Sequence, residues 1–295
     1  MRVFVTGATG FIGSAVVKEL IAAKHQVLGL ARSGEKAKAL AAAGADVLMG
    51  TIEDEDILRR GVSECDGVTH LAFNHDFSNF VANCEDDRRI IKVLGSAVVG
   101  SDRPLLVTSG APIAKTVPGE PARENNAILS SSIHPRAITE EAASEMAARG
   151  VNISVVRLPQ VHNTKRQGLI SPVIDIYRAK GVCAYVGEGL VTWPAAHVLD
   201  VARLYRLAIE RAEPNAKYHA VAEEGVSMRD IAETLGKRLT LPAKSITREE
   251  APGFFGWLAM FADYDMRSSS ELTRKILGWK PKGPSLLADL AKLEL

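Results

Sequence analysis

The sequence predicts an α/β protein: a doubly wound parallel sheet with a small mixed C-terminal lobe. Three observations predict it. Short apolar runs alternate with amphipathic helical patterns through the first half of the chain. Strands joined by helical crossovers must run parallel and be covered on both faces. A glycine triplet, Gly7, Gly10 and Gly13, lies between the first apolar run and the first helical pattern, where a doubly wound fold turns its backbone toward a ligand.

The elements follow in order. Val3 to Thr6 is a short apolar strand, and Ser14 to Ala23 is a helix pairing Val16 with Leu20 and Val17 with Ile21. Gln26 to Ala31 is the second strand, and Glu35 to Ala43 an alanine-rich helix stopped near Gly44. Val47 to Met49 is the third strand, Asp54 to Gly61 a helix, and Val68 to Phe73 the fourth strand. Asn79 to Val99 is mostly helical, and Leu105 to Thr108 is the fifth strand, ended by Ser109-Gly110. Arg136 to Arg149 is a helix with Gly150 at its C-cap, and Ile153 to Leu158 is the sixth strand. Beyond Pro159 the rhythm loosens. Helices at about 171–180, 200–211 and 227–239 mix with short strands, and Ser227 to Asp230 and Ser268 to Glu271 read as capping boxes. The aromatic stretch Gly253 to Phe261 could cover a pocket. We therefore expect a dinucleotide-binding core over 1–160 and a smaller substrate-binding lobe over 161–295, interleaved with the end of the sheet.

Composition excludes several classes. The formal net charge of +1 attracts neither nucleic acid nor an anionic membrane. No apolar run is long enough to span a bilayer, and Arg2 to Val5 already reads as a strand rather than a signal peptide. Cys65, Cys84 and Cys183 are odd in number and lack metal-ligand spacing. They are expected to be reduced thiols, in a cytoplasmic protein without a metal site.

In Val5-Thr-Gly-Ala-Thr-Gly-Phe-Ile-Gly13, each glycine has a job. Gly7 turns the chain off the strand, Gly10 lets backbone approach a pyrophosphate, and Gly13 lets the helix pack closely. The helix N-terminus, with Thr9, Phe11 and Ile12, then offers N–H groups to phosphate. The bland alternative is a tight turn without a ligand.

The phrase Thr6-Gly-Ala-Thr-Gly-Phe-Ile-Gly13 resembles the opening of the extended and atypical short-chain dehydrogenase/reductases, a Rossmann superfamily that includes NAD-dependent epimerases and dehydratases. His70-Leu-Ala72, Val107-Thr-Ser109, Arg157-Leu-Pro159, His197 to Ala202 and Leu277-Gly-Trp-Lys-Pro281 resemble further elements of it. The resemblance spans nearly the whole chain. It implies a dinucleotide lying against Leu71, Ala72, Phe73, Thr108, Leu158 and Pro159. The second strand ends Ala31-Arg32-Ser33 with no acid. A 2′-phosphate favours Arg and repels a carboxylate, so NADP(H) is expected over NAD(H). The competing reading of Arg32 is a solvated cation.

The resemblance also implies a catalytic Tyr with a Lys four residues on, plus a Ser or Thr. Those positions fall near Pro135 and Thr139, and no Tyr-x-x-x-Lys occurs anywhere in the chain. This departure points to an atypical subgroup. His134 and Arg136 are the substitutes, with Ser109 for the hydroxyl. The plainer readings are a loop histidine and an Arg136–Glu140 ion pair. His75, His162 and Trp257 are candidate substrate contacts; Trp193 and His197 read as structural, and Asp86 to Arg89 as a solvated helix face. The expected function is hydride transfer to or from a small carbonyl or alcohol. Two alternatives are a non-catalytic dinucleotide-binding sensor and a sugar-nucleotide epimerase, whose base the missing Tyr removes. A homodimer through the fourth and fifth helices is implied only by the resemblance.

Overall fold

A computed structural model describes residues 1–117 and 119–295. The first half runs β1 (Arg2–Thr6), α1 (Phe11–Ala22), β2 (Gln26–Ala31), α2 (Gly34–Ala42), β3 (Asp46–Met49), α3 (Glu55–Ser63), β4 (Gly67–His70), α4 (Phe80–Val98), β5 (Leu105–Gly110), α5 (Ile138–Ala148) and β6 (Ile153–Leu158). It continues with β7 (Gln160–His162), α6 (Ile170–Lys180), β8 (Cys183–Val186), β9 (Thr192–His197), α7 (Val198–Arg211), β10 (Lys217–His219), β11 (Glu223–Ser227), α8 (Met228–Leu239), β12 (Ala243–Ile246), α9 (Ala251–Phe255), α10 (Ala259–Ala262), α11 (Glu271–Leu277) and α12 (Leu286–Ala291). Seven strands form one parallel sheet in the order β10-β6-β5-β4-β1-β2-β3. The strand order reverses between β1 and β4, and there the C-terminal strand ends open a crevice.

Period-two alternation divides the strand residues between the faces. Val3 and Val5 join Val16, Val17 and Leu20 of α1 and Leu204 of α7. Phe4 points the other way, into a core with Leu58 of α3, Ile91 of α4 and Ala142 of α5. The lobe has its own core of Tyr177, Trp193, Phe255 and Leu286, attached through a three-stranded sheet β11-β9-β7 and the pair β12-β8. The chain crosses back from the lobe: α7 lies on α1, and β10 extends the large sheet. The motif residues in the second half tie these parts together. Asp200 accepts from the amides of Lys282 and Gly283, and the Trp279 indole donates to the Asp200 carbonyl.

Several boundaries differ from the sequence reading. α1 starts at Phe11, because Gly10 serves as N-cap and accepts from the Ser14 amide. β4 stops at His70, because the Ala72 amide bonds the Thr6 hydroxyl rather than a neighbouring strand. Ser227 does cap α8 through the Asp230 amide. Ser268 to Glu271 is not a capping box: α11 begins at Glu271, and the buried Ser268 and Ser270 hydroxyls donate to the Met266 and Val221 carbonyls. All three cysteines are free and buried, and no helix among the described residues is long and apolar enough to cross a membrane.

Candidate functional site

The glycine loop is tight on one side and open on the other. Gly7 has φ +66°, and a Cβ there would meet the Ala72 amide nitrogen at 2.7 Å. A Cβ on Gly13 would sit 2.0 Å from the Gly7 carbonyl oxygen. A Cβ on Gly10 would meet only that oxygen, at 3.2 Å. Gly10 is exposed, no side chain caps α1, and no acid lies in its first turn. The first-turn N–H groups therefore face outward with a partial positive charge, as an anion-binding helix end must. Arg32 is exposed at the end of β2, and the Ser33 oxygen caps α2 by accepting from the Lys36 amide. Both lie on the same edge of the crevice as the loop. These features fit a dinucleotide.

Across the crevice, Arg136 is the electrostatic centre. It lies in a 3₁₀ turn (Pro135–Ala137) ahead of α5. Nη1 donates to Asp87 Oδ2 at 2.7 Å and to Thr139 Oγ1 at 2.6 Å, and Nη2 donates to the Thr108 carbonyl at 2.9 Å. Its guanidinium carbon sits 3.9 Å from the centre of the Phe73 ring. The ion pair expected with Glu140 does not form: Glu140 binds Arg157 bidentately in the core. Asp87 is not on a solvated face either. It is buried, in the apolar phase of α4 with Cys84, Ile91 and Leu94, and accepts from His70 and Thr139 as well as Arg136. Burial alone would raise its pKa, but the Arg136 charge and the bonds from His70 and Thr139 outweigh that and hold it at about 2.

Ser109 and His134 border this centre. Ser109 follows Thr108 at the end of β5, is 3% exposed, and its Oγ has no hydrogen-bond partner among the described residues. His134 lies two residues before Arg136, and its buried Nδ1 likewise has none. Burial and the Arg136 charge lower the His134 pKa, against a backbone hydrogen bond that raises it. The neutral ring is therefore favoured over the charged one. His75 at the rim stacks edge-on to Phe73 and donates to its carbonyl. Desolvation lowers its pKa too, with a further push from Arg136.

Two expected substrate contacts are placed elsewhere. His162 is fully buried, with Nδ1 2.7 Å from Asp289 Oδ2 and its ring against His197. All three residues of β7 are buried, and the His162 ring is enclosed by Asp289 of α12 and His197 of β9. Trp257 is 47% exposed and packs edge-on against Phe261 on the outside of that lobe. Tyr177 is spent on the Ala184 carbonyl. Trp193 is buried and bonds the Phe261 carbonyl, and His197 caps α7, both structural as expected. The sequence reading missed His70, Asp87 and Thr139. Helical phasing of α4 was the available signal for Asp87, because positions 84, 87, 91 and 94 share one face.

A phosphate-ready glycine loop, a parallel sheet reversing at β1 and β4, and a polar centre at the same strand ends define a dinucleotide-dependent enzyme fold. The chain belongs to the NAD dependent epimerase/dehydratase family, which it matches over residues 3–222. An uncharacterized protein of Schizosaccharomyces pombe is 44% identical over 292 residues, covering 99% of this chain and 98% of that protein. A 4-hydroxy-2-methyl-3-oxo-4-farnesyl-3,4-dihydroquinoline-1-oxide ketoreductase of Stigmatella aurantiaca is 27% identical over 248 residues, covering 78% of this chain and 70% of that enzyme. Among solved structures, a dTDP-glucose 4,6-dehydratase of Streptomyces venezuelae superposes with a TM-score of 0.77 at 18% identity, covering 99% of this chain and 95% of that one. That last likeness bears on the fold alone. The protein is thus a member of a family of epimerases and dehydratases described by its dependence on a nicotinamide dinucleotide.

Proposed function

We propose that the protein is an NADP(H)-dependent oxidoreductase that moves a hydride to or from a small carbonyl or alcohol without a Tyr-Lys pair. The observation that carries this reading is the unpartnered, buried Ser109 Oγ near the end of β5, one residue after the Thr108 carbonyl that Arg136 binds. A buried hydroxyl left without a bond costs about 1–3 kcal/mol, so a ligand oxygen is its natural partner.

The loop from Gly7 to Gly13, with Thr9, Phe11 and Ile12, would hold the diphosphate. Arg32 and Ser33 would hold the 2′-phosphate, and Leu71, Ala72, Phe73, Thr108, Leu158 and Pro159 would line the rest of the dinucleotide. When bound, that cofactor supplies the hydride chemistry. Ser109 donates to the substrate oxygen, Arg136 stabilises negative charge that develops there, and His134 exchanges the proton. Neutral His134 is the form that accepts a proton from an alcohol. Carbonyl reduction needs the protonated ring, so reduction should speed up as pH falls toward the lowered pKa. The ketoreductase name of the Stigmatella relative supports the reductase sense of the reading. Cytoplasmic residence and a homodimer complete it as expectations.

The test is oxidation of NADPH and NADH by purified protein against a panel of aldehydes, ketones and quinones. NADPH-specific turnover supports the proposal. Tight NADPH binding without turnover across the panel overturns it in favour of a dinucleotide-binding sensor, the reading that the absent Tyr and Lys favour. Tightly held NAD(H) in the purified protein would favour an epimerase.

A further inference from the structure

We propose that Asp87 is a positioning residue: its buried carboxylate, oriented by His70 and Thr139, is a built guanidinium receptor that fixes Arg136 over Phe73 at the strand ends. This rests on the reading of Arg136 as the charge of the active site. Asp87 can only accept, so His70 donates through Nε2, at 3.1 Å. His70 Nδ1 is hydrogen-bonded at 2.6 Å to the Thr6 hydroxyl, which itself receives the Ala72 amide. The Thr139 hydroxyl donates to Asp87 Oδ2 at 2.6 Å and receives Arg136 Nη1. The carboxylate is thus gripped from β4 and α5 and tied through His70 to the end of β1, the strand that feeds the glycine loop. The Thr108 carbonyl and the Phe73 ring complete the walls around the guanidinium.

A guanidinium has five N–H donors, and three are used here. The other two have no partner among the described residues, and the Arg136 side chain keeps 12% of its surface open. A structural role alone explains the arrangement poorly. A cation ahead of a helix N-terminus opposes the helix dipole, and a buried ion pair contributes little net stability against its apolar counterpart. What the receptor does provide is a charge fixed on the Thr108 carbonyl, one residue before the unpartnered Ser109 Oγ. Such preorganisation is what stabilises developing charge.

Free guanidinium tests the receptor directly. Arg136→Ala leaves it empty, and Arg136→Ala with Asp87→Asn removes its anion. Millimolar guanidinium chloride, far below denaturing levels, should raise the Tm of the first variant and not of the second. It should also restore turnover in the first by about tenfold or more, whereas methylammonium should do neither. An equal response of both variants, or none in the first, overturns the proposal. If Arg136→Ala does not fold, a turnover comparison replaces it: Arg136→Gln keeps an amide that can donate to Asp87, and Asp87→Asn/Arg136→Gln buries no unpaired charge. Equal turnover in those two supports action through Arg136, and a further loss of about tenfold in the double variant overturns it. The thermal measurement needs no turnover. A wild-type protein inactive with every substrate therefore refutes the proposed reaction while leaving the receptor to be judged by its Tm.

Discussion

Substituting alanine at Gly13 and at Gly10 separates the two sides of the glycine loop. At Gly13 the added Cβ would lie 2.0 Å from the Gly7 carbonyl oxygen and 2.8 Å from its carbon. Ordinary contact begins more than an ångström further out, and the obstacle is backbone that also receives the Gly10 amide. α1 must therefore move off β1, against the close packing of Val16, Val17 and Leu20. Overpacking of this kind costs about 1–3 kcal/mol or more. For a chain of 295 residues that lowers Tm by about 2–5 °C. At Gly10 the nearest atom is 3.2 Å away and the rest is open space. Losing a glycine N-cap costs about 1 kcal/mol or less, but the methyl occupies the approach of the diphosphate. Differential scanning fluorimetry and nucleotide titration read both effects. Gly13→Ala should lose stability and binding together, and Gly10→Ala should keep its Tm within about 2 °C while Kd rises about tenfold or more. A Gly13→Ala protein with unchanged Tm would refute the packing argument. Unchanged binding by Gly10→Ala would mean that the loop is only a turn.

Three further outcomes follow from the same geometry. Arg32→Ala should weaken NADPH much more than NADH in fluorescence titrations; equal losses would remove the 2′-phosphate assignment. His134→Ala should lower turnover about a hundredfold, in the range of a lost acid–base group, with nucleotide Kd unchanged; full turnover would dismiss it as the proton carrier. His219 is fully buried, accepting from Arg157 and donating to the Ser269 carbonyl. Burial and the Arg157 charge push its pKa down to about 4. Its folded pKa lies below the unfolded value of about 6.5, so the stability it contributes is present at pH 7. That stability is lost as pH falls toward 4, about 3 kcal/mol in all. The urea midpoint of wild type should therefore fall more steeply between pH 7 and 4.5 than that of His219→Gln; parallel curves would contradict the assignment.

The sheet and the glycine loop were legible in the sequence because their causes are local. The short apolar run Val3 to Thr6, helical spacing in Val16 to Ile21 and the glycines at 7, 10 and 13 act within one or two turns of chain. The end of β2 at Arg32 and the cap at Ser227 are equally short-range. The charge pairing of the site was not legible. Arg136 has an acid four residues away in Glu140, the partner that local spacing favours, yet it binds Asp87, 49 residues distant. Glu140 turns instead to Arg157 on β6. The Ser268 to Glu271 motif failed because the Ser268 hydroxyl bonds the Met266 carbonyl two residues back and the Ser270 hydroxyl bonds the distant Val221 carbonyl. By itself the sequence determined a doubly wound α/β chain with a phosphate loop, and it brought His134, Arg136 and Ser109 forward as candidates. Only the tertiary structure decided that Arg136 is held by a receptor from β4, α4 and α5, and that His162 turns inward. Periodicity and turns are properties of neighbouring residues, whereas a buried charge takes whichever partner the packing of distant elements leaves beside it.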